Sequence, residues 1–297
     1  MMVDDAPKQI ESFTLSLADI GTVDIDKLHM LSMSVRWPHR AEDWAFLRTV
    51  GQGLAALDEI GRATASVMWF PQGDSFATIG MVMTSPRLQT HGAGHWLMGH
   101  ALKRLGQRDL GLNATRAAIR LYRTLGFEKE TTVYQHQGEA RASVSDLPTE
   151  GGWMRPLDAA DLPQILVLDR RAAGYDRSAL IAELVQRSQV LGHFRNEVLV
   201  GFAFCRPFGR GTVVGPVVAS CDADAIALVA PFLAQKAGSF VRLDTRLASG
   251  AFVVFLEASG LKLFDTVMAM TLGRPWTRPA RSDDAPMIYG LSTQATG

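Results

Sequence analysis

The sharpest change of pattern along the chain lies between Phe76 and Leu105. Phe76-Ala-Thr-Ile-Gly-Met-Val-Met-Thr84 is apolar and β-rich and is bounded by Pro86, which predicts a strand. Leu97, Met98, Ala101, Leu102 and Leu105 then recur at helical spacing. Between them lies Pro86-Arg-Leu-Gln-Thr-His-Gly-Ala-Gly94, a glycine-spaced turn that opens a helix N-terminus. Unpaired backbone N–H groups and the helix dipole favour an anion at such a junction. Gly92 and Gly94 remove side chains that would hold an anion away from the backbone, and both tolerate positive φ.

The same reading extends along the first half. Ala18 to Val35 reads as helical, Leu54 to Ala63 as hairpin-like, and strands are expected up to Phe70 and from Phe76. Leu110 to Thr115 predicts a short strand, Arg116 to Leu125 a helix, and Gly126 its C′ stop. From Gln137 to Gly152 the residues turn small and polar, as in a linker.

Beyond it the order repeats. Trp153 begins a strand and helix with Asp158 as N-cap. Strands are expected over Val198 to Phe208 and Gly211 to Val218, and a helix over Ala223 to Ala237. A strand over Phe240 to Asp244, a helix over Ala251 to Ser259 ending at Gly260, and a last strand over Leu261 to Met270 complete the series. Phe255 to Leu261 stands where Leu121 to Phe127 stands in the first half, which suggests a duplication. The expected organisation is a domain over residues 1–140, a linker over 141–152 and a second domain over 153–297.

Composition narrows the chemistry. With 297 residues, 47% apolar and 20% charged, the chain has room for two folded domains. A formal charge of zero argues against general nucleic-acid or anionic-membrane binding. Charge is nevertheless uneven: from Arg87 to Arg123 there are seven Lys or Arg and one acid, Asp109. Most of these read as a solvated helix face, with one or two available to phosphates. The two cysteines, Cys205 and Cys221, offer neither zinc spacing nor a disulfide framework. The N-terminus lacks a signal-like apolar core, and no run approaches the ~18 apolar residues of a membrane span. A cytoplasmic protein is expected.

The turn fits neither of two familiar phosphate-binding patterns. A dinucleotide fold wants G-x-G-x-x-G and a P-loop wants G-x-x-x-x-G-K-[ST], and neither is present. Gln89-x-x-Gly92-x-Gly94 instead resembles the Q/R-x-x-G-x-G/A signature of the GCN5-related N-acetyltransferase (GNAT) superfamily. Tyr122 followed by Leu125-Gly126-Phe127 resembles the closing strand and helix of the same superfamily. Trp37 to Trp44 is similar to the start of the second helix in a bacterial subgroup. The resemblance implies an α/β (α+β) fold: two tandem GNAT domains, each a mixed, mostly antiparallel sheet flanked by helices.

It also implies a co-substrate, acetyl-CoA, and a set of roles. Pantetheine would pair with the backbone of Val82, Met83 and Thr84. The loop Thr90, His91, Gly92, Ala93, Gly94 and His95 would hold the pyrophosphate, with Gln89 bracing the turn. Tyr122 would protonate the departing sulfur, a phenol of pKa ~10 against a thiolate of ~8.5. Many members carry Asn seven residues before the Tyr. Here that place is Thr115, which can donate a hydrogen bond or cap the helix, and Asn113 is favoured as the polar group near CoA.

After Val218 the second half has Asp222 and Asp224 and no glycine pair, and carboxylates repel a pyrophosphate. Leu256 stands at the counterpart of Tyr122. This half is therefore expected to be degenerate, resembling the C-terminal domain appended to some bacterial acetyltransferases, with acetyl-CoA bound once per chain. Glu42, Asp43 and His39 are candidate bases, and water can relay the proton instead. His91, His95 and His100 do not form a convincing metal site, so none is expected. Arg36 to Arg40, with Trp37, and Met287 to Leu291 are candidate walls of the acceptor cleft. The expected partner is a small-molecule amine rather than a nucleic acid or membrane, and a homodimer is left open. Two functions remain: an acetyl-CoA-dependent N-acetyltransferase, or a non-catalytic CoA-binding or sensing protein.

Overall fold

In the computed structural model, which describes residues 7–10, 13–89, 91–142, 152–276 and 285–297, packing divides the chain into two compact units, Met1–Leu112 and Asn113–Gly297. The polar segment expected as a linker lies largely outside the described residues.

The first unit is a sheet with helices on its faces. Its elements are β1 (Lys8–Ile10), β2 (Phe13–Asp19), α1 (Ile25–Ser34), α2 (Ala41–Val50), β3 (Gln52–Leu57), β4 (Ala63–Gln72), β5 (Phe76–Thr84), α3 (Ala93–Leu105) and β6 (Asp109–Ala114), whose last two residues belong to the second unit. The strands follow chain order and pair antiparallel, except β5 with β6, which α3 connects as a parallel crossover. Helices α1 and α3 both pack on β4, and Ala65 to Phe70 is buried without alternation, as a strand covered on both faces should be. Leu97, Met98, Ala101 and Leu105 form the buried stripe of α3.

One expected helix is shorter than its apolar pattern. Ala18 pairs with Ala55 in the β2–β3 ladder, and α1 begins only at Ile25. Two aspartates set that start. Asp19 Oδ1 accepts from Gly21 N at 2.7 Å and Asp24 Oδ1 from Asp26 N at 2.9 Å, so each draws the backbone into a cap instead of a helix.

The second unit holds α4 (Ile119–Thr124), β7 (Glu128–Glu139), β8 (Trp153–Leu157), α5 (Leu162–Ala173), α6 (Ser178–Arg187), β9 (Gln189–Arg195), β10 (Val198–Phe208), β11 (Gly211–Ala219), α7 (Asp222–Gln235), β12 (Phe240–Thr245), α8 (Ala251–Ala258), β13 (Lys262–Leu272) and β14 (Met287–Gly290). Its sheet runs β13-β7-β12-β11-β10-β9-β8, with β14 on β11. Strand β7 is flanked on both sides, by β12 and by β13. The helix expected from Arg116 is confined to α4, because Thr115 O accepts from Ala118 N at 2.9 Å and closes a turn there. Asp158 is an N-cap, its side chain accepting from Ala160 N at 2.8 Å. Among the described residues no helix is long and apolar enough to cross a membrane.

Candidate active site

The site in the first unit begins with a defect in β5. Ser66 pairs with Met83 and Met68 with Gly80, so Met81 and Val82 together face Val67 in a bulge. Met81 has φ +51°, and its carbonyl accepts from the buried Ser66 hydroxyl at 2.7 Å. The parallel ladder with β6 ends at Ile79 opposite Leu112. Past that point, among the described residues, Gly80 to Thr84 has a strand partner in β4 alone. Its other edge presents backbone donors and acceptors that an extended ligand can pair with.

The end of β5 leads directly into the anion turn. Ser85 N donates to Thr64 O at 2.7 Å, and buried Leu88 pins the short helical turn Pro86–Leu88. Gln89 Nε2 reaches back to Thr84 O at 3.1 Å, which ties the turn to the strand. Gly92 is the N-cap of α3 with φ +87° and ψ 2°, and no side chain caps the helix. The first intrahelical acceptor used is Gly92 O, from Trp96 N at 3.0 Å. The first turn holds no acid, so no carboxylate of its own offsets the positive end of the dipole. His91, Gly92 and His95 are exposed, Gly94 is half-buried and Ala93 is buried. Beside the turn lies a cavity of about 440 Å³, lined by Lys27, Met30, Arg62 and Ser85 to Leu88 among others.

The structure thus carries Val82, Met83, Thr84, Gln89, His91, Gly92, Ala93, Gly94 and His95 in succession along the end of β5, the turn and the start of α3, with Met83 and Ala93 buried; Thr90 lies outside the described residues. Asn113, Thr115 and Tyr122 are carried by the second unit. Asn113 Nδ2 donates to Gln294 O at 2.8 Å, leaving its Oδ1 as the free end of the carboxamide. Thr115 is not the helix cap, since the N-cap of α4 is Ala118 with no side-chain bond. Tyr122 is buried with its ring edge against Phe127, centroids 6.0 Å apart. Burial pushes its phenol above the ordinary tyrosine value, so the hydroxyl stays protonated. Gly126, with φ +90°, ends the helix behind it.

The candidate bases separate. Asp43 is the reciprocal cap of α2, accepting from Arg40 N at 2.9 Å, Arg40 Nε at 3.1 Å and Arg40 Nη2 at 2.9 Å, and so is committed to a structural role. The carbonyl of His39 is held near His29 Nδ1 at 3.0 Å, while Glu42 is exposed in the first turn of α2. His100 is buried edge-on to Trp96. Among the described residues no group of three or more His, Cys, Asp or Glu is placed to hold a metal. Met287 to Gly290, considered for the acceptor wall, is strand β14. Ser66 and the Met81 bulge escaped the sequence reading; Gly80 inside an apolar strand was the available signal.

The equivalent position of the second unit is built otherwise. At the start of α7, Asp222 Oδ2 accepts from Phe252 N at 3.0 Å and its Oδ1 from the Tyr289 hydroxyl at 3.0 Å. Asp224 is fully buried and accepts from Arg195 Nη2 at 2.6 Å. Leu256 is buried on α8.

A one-edged, bulged strand running into an uncapped helix N-terminus is the geometry of an acetyltransferase of the GNAT class, and family models agree. The Acetyltransferase (GNAT) family matches residues 23–127 and the Acetyltransferase (GNAT) domain matches residues 165–284, so the chain belongs to this superfamily and carries two of its domains in tandem. Among solved structures it is similar to a putative acetyltransferase from Pyrococcus horikoshii, with TM-score 0.77 and 17% identity over 98% of each chain. It is also similar to a tandem GNAT protein from the clavulanic acid biosynthesis pathway, with TM-score 0.58 and 13% identity over 86% of this chain and 98% of that one. A GCN5-related N-acetyltransferase from Sphaerobacter thermophilus gives TM-score 0.60 and 13% identity, covering 86% and 95%. At these identities the likeness is one of fold. A search of curated proteins found no match.

Proposed function

We propose that the chain is an N-acetyltransferase that moves the acetyl group of acetyl-CoA to a primary amine of a small molecule, in a ternary complex, using one site in its first GNAT domain. The observation that carries this reading is the acid-free, uncapped N-terminus of α3 at the end of a strand with an open edge. Together these supply N–H donors for a pyrophosphate and a backbone edge, Val82 to Thr84, for the pantetheine amides. His91, Gly92, Ala93, Gly94 and His95 would surround the phosphates, with Asn113 and Thr115 as further polar contacts.

The reaction asks little covalent work of the protein. The neutral amine attacks the thioester carbonyl, a C–N bond forms, the C–S bond breaks, and the amine proton leaves to water. Tyr122 would give its proton to the departing thiolate and recover one from solvent; its burial, which raises the phenol, makes it a weaker acid than an exposed tyrosine. No nucleic acid or membrane partner is proposed. The second reading, a CoA-binding sensor without turnover, is favoured by the same burial of Tyr122, which confines its hydroxyl.

Calorimetric titration should give one acetyl-CoA per chain, and an amine panel should release free CoA with Tyr122→Phe as control. Two sites would contradict the assignment of a single site. Tight binding without release across the panel would establish the sensor, and no binding at all would remove both readings.

A further inference from the structure

The second GNAT domain repeats the splayed strand pair of the first and fills it with its own chain. Strand β11 has nine residues, as β5 has, and its parallel ladder with β12 covers only Thr212–Val213 against Val241–Arg242. Beyond those pairs β11 would present the open edge that Gly80 to Thr84 presents in β5. Instead β14 pairs with it antiparallel, Val217 with Gly290, Val218 with Ile288 and Ala219 with Met287. The next residue crosses to the other arm of the pair, Leu291 N donating to Asp244 O at 2.8 Å at the end of β12.

Side chains complete the substitution. The Tyr289 hydroxyl reaches Asp222 at the start of α7, the place corresponding to the phosphate turn of α3, and Asp222 also accepts from the first turn of α8. A carboxylate of the chain, tied to α8 and β14, therefore stands at the head of α7, where its charge would repel an anion. The fit is close: a Cβ on Gly290 would lie 3.0 Å from Val217 Cγ2, and one on Gly215 would collide with the carbonyl of Leu291.

We infer that the cleft between β11 and β12 is a strand-binding site whose ligand is the chain's own segment 287–291, which takes the place that pantetheine has in the first domain. The inference rests on the single-site reading for its comparison with β5 and deepens it. The second domain has lost acetyl-CoA through occupation of its slot as well as through the change of turn residues.

Hydrogen exchange on the full chain tests this with and without saturating acetyl-CoA. Amides of 217–219 and 287–291 should be protected equally in both states, whereas those of 92–95 gain protection with the ligand. Ile288→Pro puts a ring and a fixed φ into the middle of β14, and should speed exchange at 217–219 at least about tenfold. A synthetic peptide of residues 285–297 added to that variant should restore protection, and the same peptide with Pro at 288 should not. Should Ile288→Pro fail to fold, Tyr289→Phe, which removes only the hydroxyl, should still speed exchange in 287–291. Unchanged exchange at 217–219 in a folded Ile288→Pro chain, no rescue by the peptide, or an acetyl-CoA effect on β11 and β14 would each overturn the inference. Failure of acetyl-CoA to protect 92–95 would instead count against the proposed function and leave the exchange and rescue at β11 to be judged alone.

Discussion

Gly92→Ala separates the two demands made on the turn. At φ +87° and ψ 2° a residue with a Cβ pays a backbone cost of ~1–2 kcal/mol, since the left-handed region crowds it against the following carbonyl. No steric cost adds to it, because a Cβ built on Gly92 meets no atom within 4 Å. Stability should therefore fall by that amount and no more. The same open space is where phosphate oxygens would lie, so a methyl group displaces one charge-assisted hydrogen bond worth ~1.5–3 kcal/mol. At ~1.4 kcal/mol per decade that is an affinity loss of about 10- to 150-fold for acetyl-CoA. Gly106, at the other end of α3 with φ +65° and equally open space, is the control, since its alanine variant should lose stability but not affinity. Urea denaturation and calorimetric titration of both variants supply the numbers. If Gly92→Ala binds acetyl-CoA within about twofold of the wild type while losing the expected stability, the turn is not the pyrophosphate seat.

Four other outcomes are expected. Tyr122→Phe should lower kcat ~100-fold or more with little change in acetyl-CoA affinity, read by steady-state kinetics beside titration. Ser66→Ala should cost ~1–3 kcal/mol in chemical denaturation, because the Met81 carbonyl in the bulge loses its buried donor. Asp169→Asn should cost ~3–5 kcal/mol, since Arg177 is completely buried and its Nε and Nη2 contact Asp169 at 3.1 and 2.6 Å. Arg155 bonds both oxygens of Asp161 at 2.7 Å and holds that carboxyl below its usual range. A depressed folded-state pKa stabilises above the unfolded value of ~3.9 and is lost as pH falls through the folded one. Asp161→Asn should therefore lower Tm at neutral pH, with the gap from wild type closing in strongly acidic buffer.

Elements set by local pattern were legible, and those set by distant partners were not. Val198 to Phe208 is a strand with the bounds expected from its largely apolar run between turns. Helix α6 went unread although Leu180, Ile181, Leu184 and Val185 carry a clear helical stripe, because neither a side-chain cap at Arg177 nor a glycine stop at Ser188 marks its ends. The start of α1 was misplaced because apolar spacing outweighed the capping aspartates Asp19 and Asp24. Around the site, Gly92 and Gln89 could be read locally, since positive φ and a short reach back to Thr84 belong to neighbouring residues. The bulge at Met81 depends on the register of β4, and the roles of Asp222 depend on Phe252 and Tyr289. The aspartates of α7 were read as repelling a ligand, whereas Asp222 is also consumed by bonds to the chain itself.

Strand β7 decides how this protein can be taken apart. Residues 128–139 follow the first family match in the chain, yet their backbone is hydrogen-bonded to β12 on one side and β13 on the other. A cut in the polar stretch after residue 140 would strip β7 from both neighbours and leave fresh sticky edges on each fragment. The polar stretch is thus a joint in sequence that does not part β7 from β12 and β13. Fragments made there should need co-expression to stay soluble, and an exchange of halves between related tandem proteins would have to carry β7 with the strands that hold it.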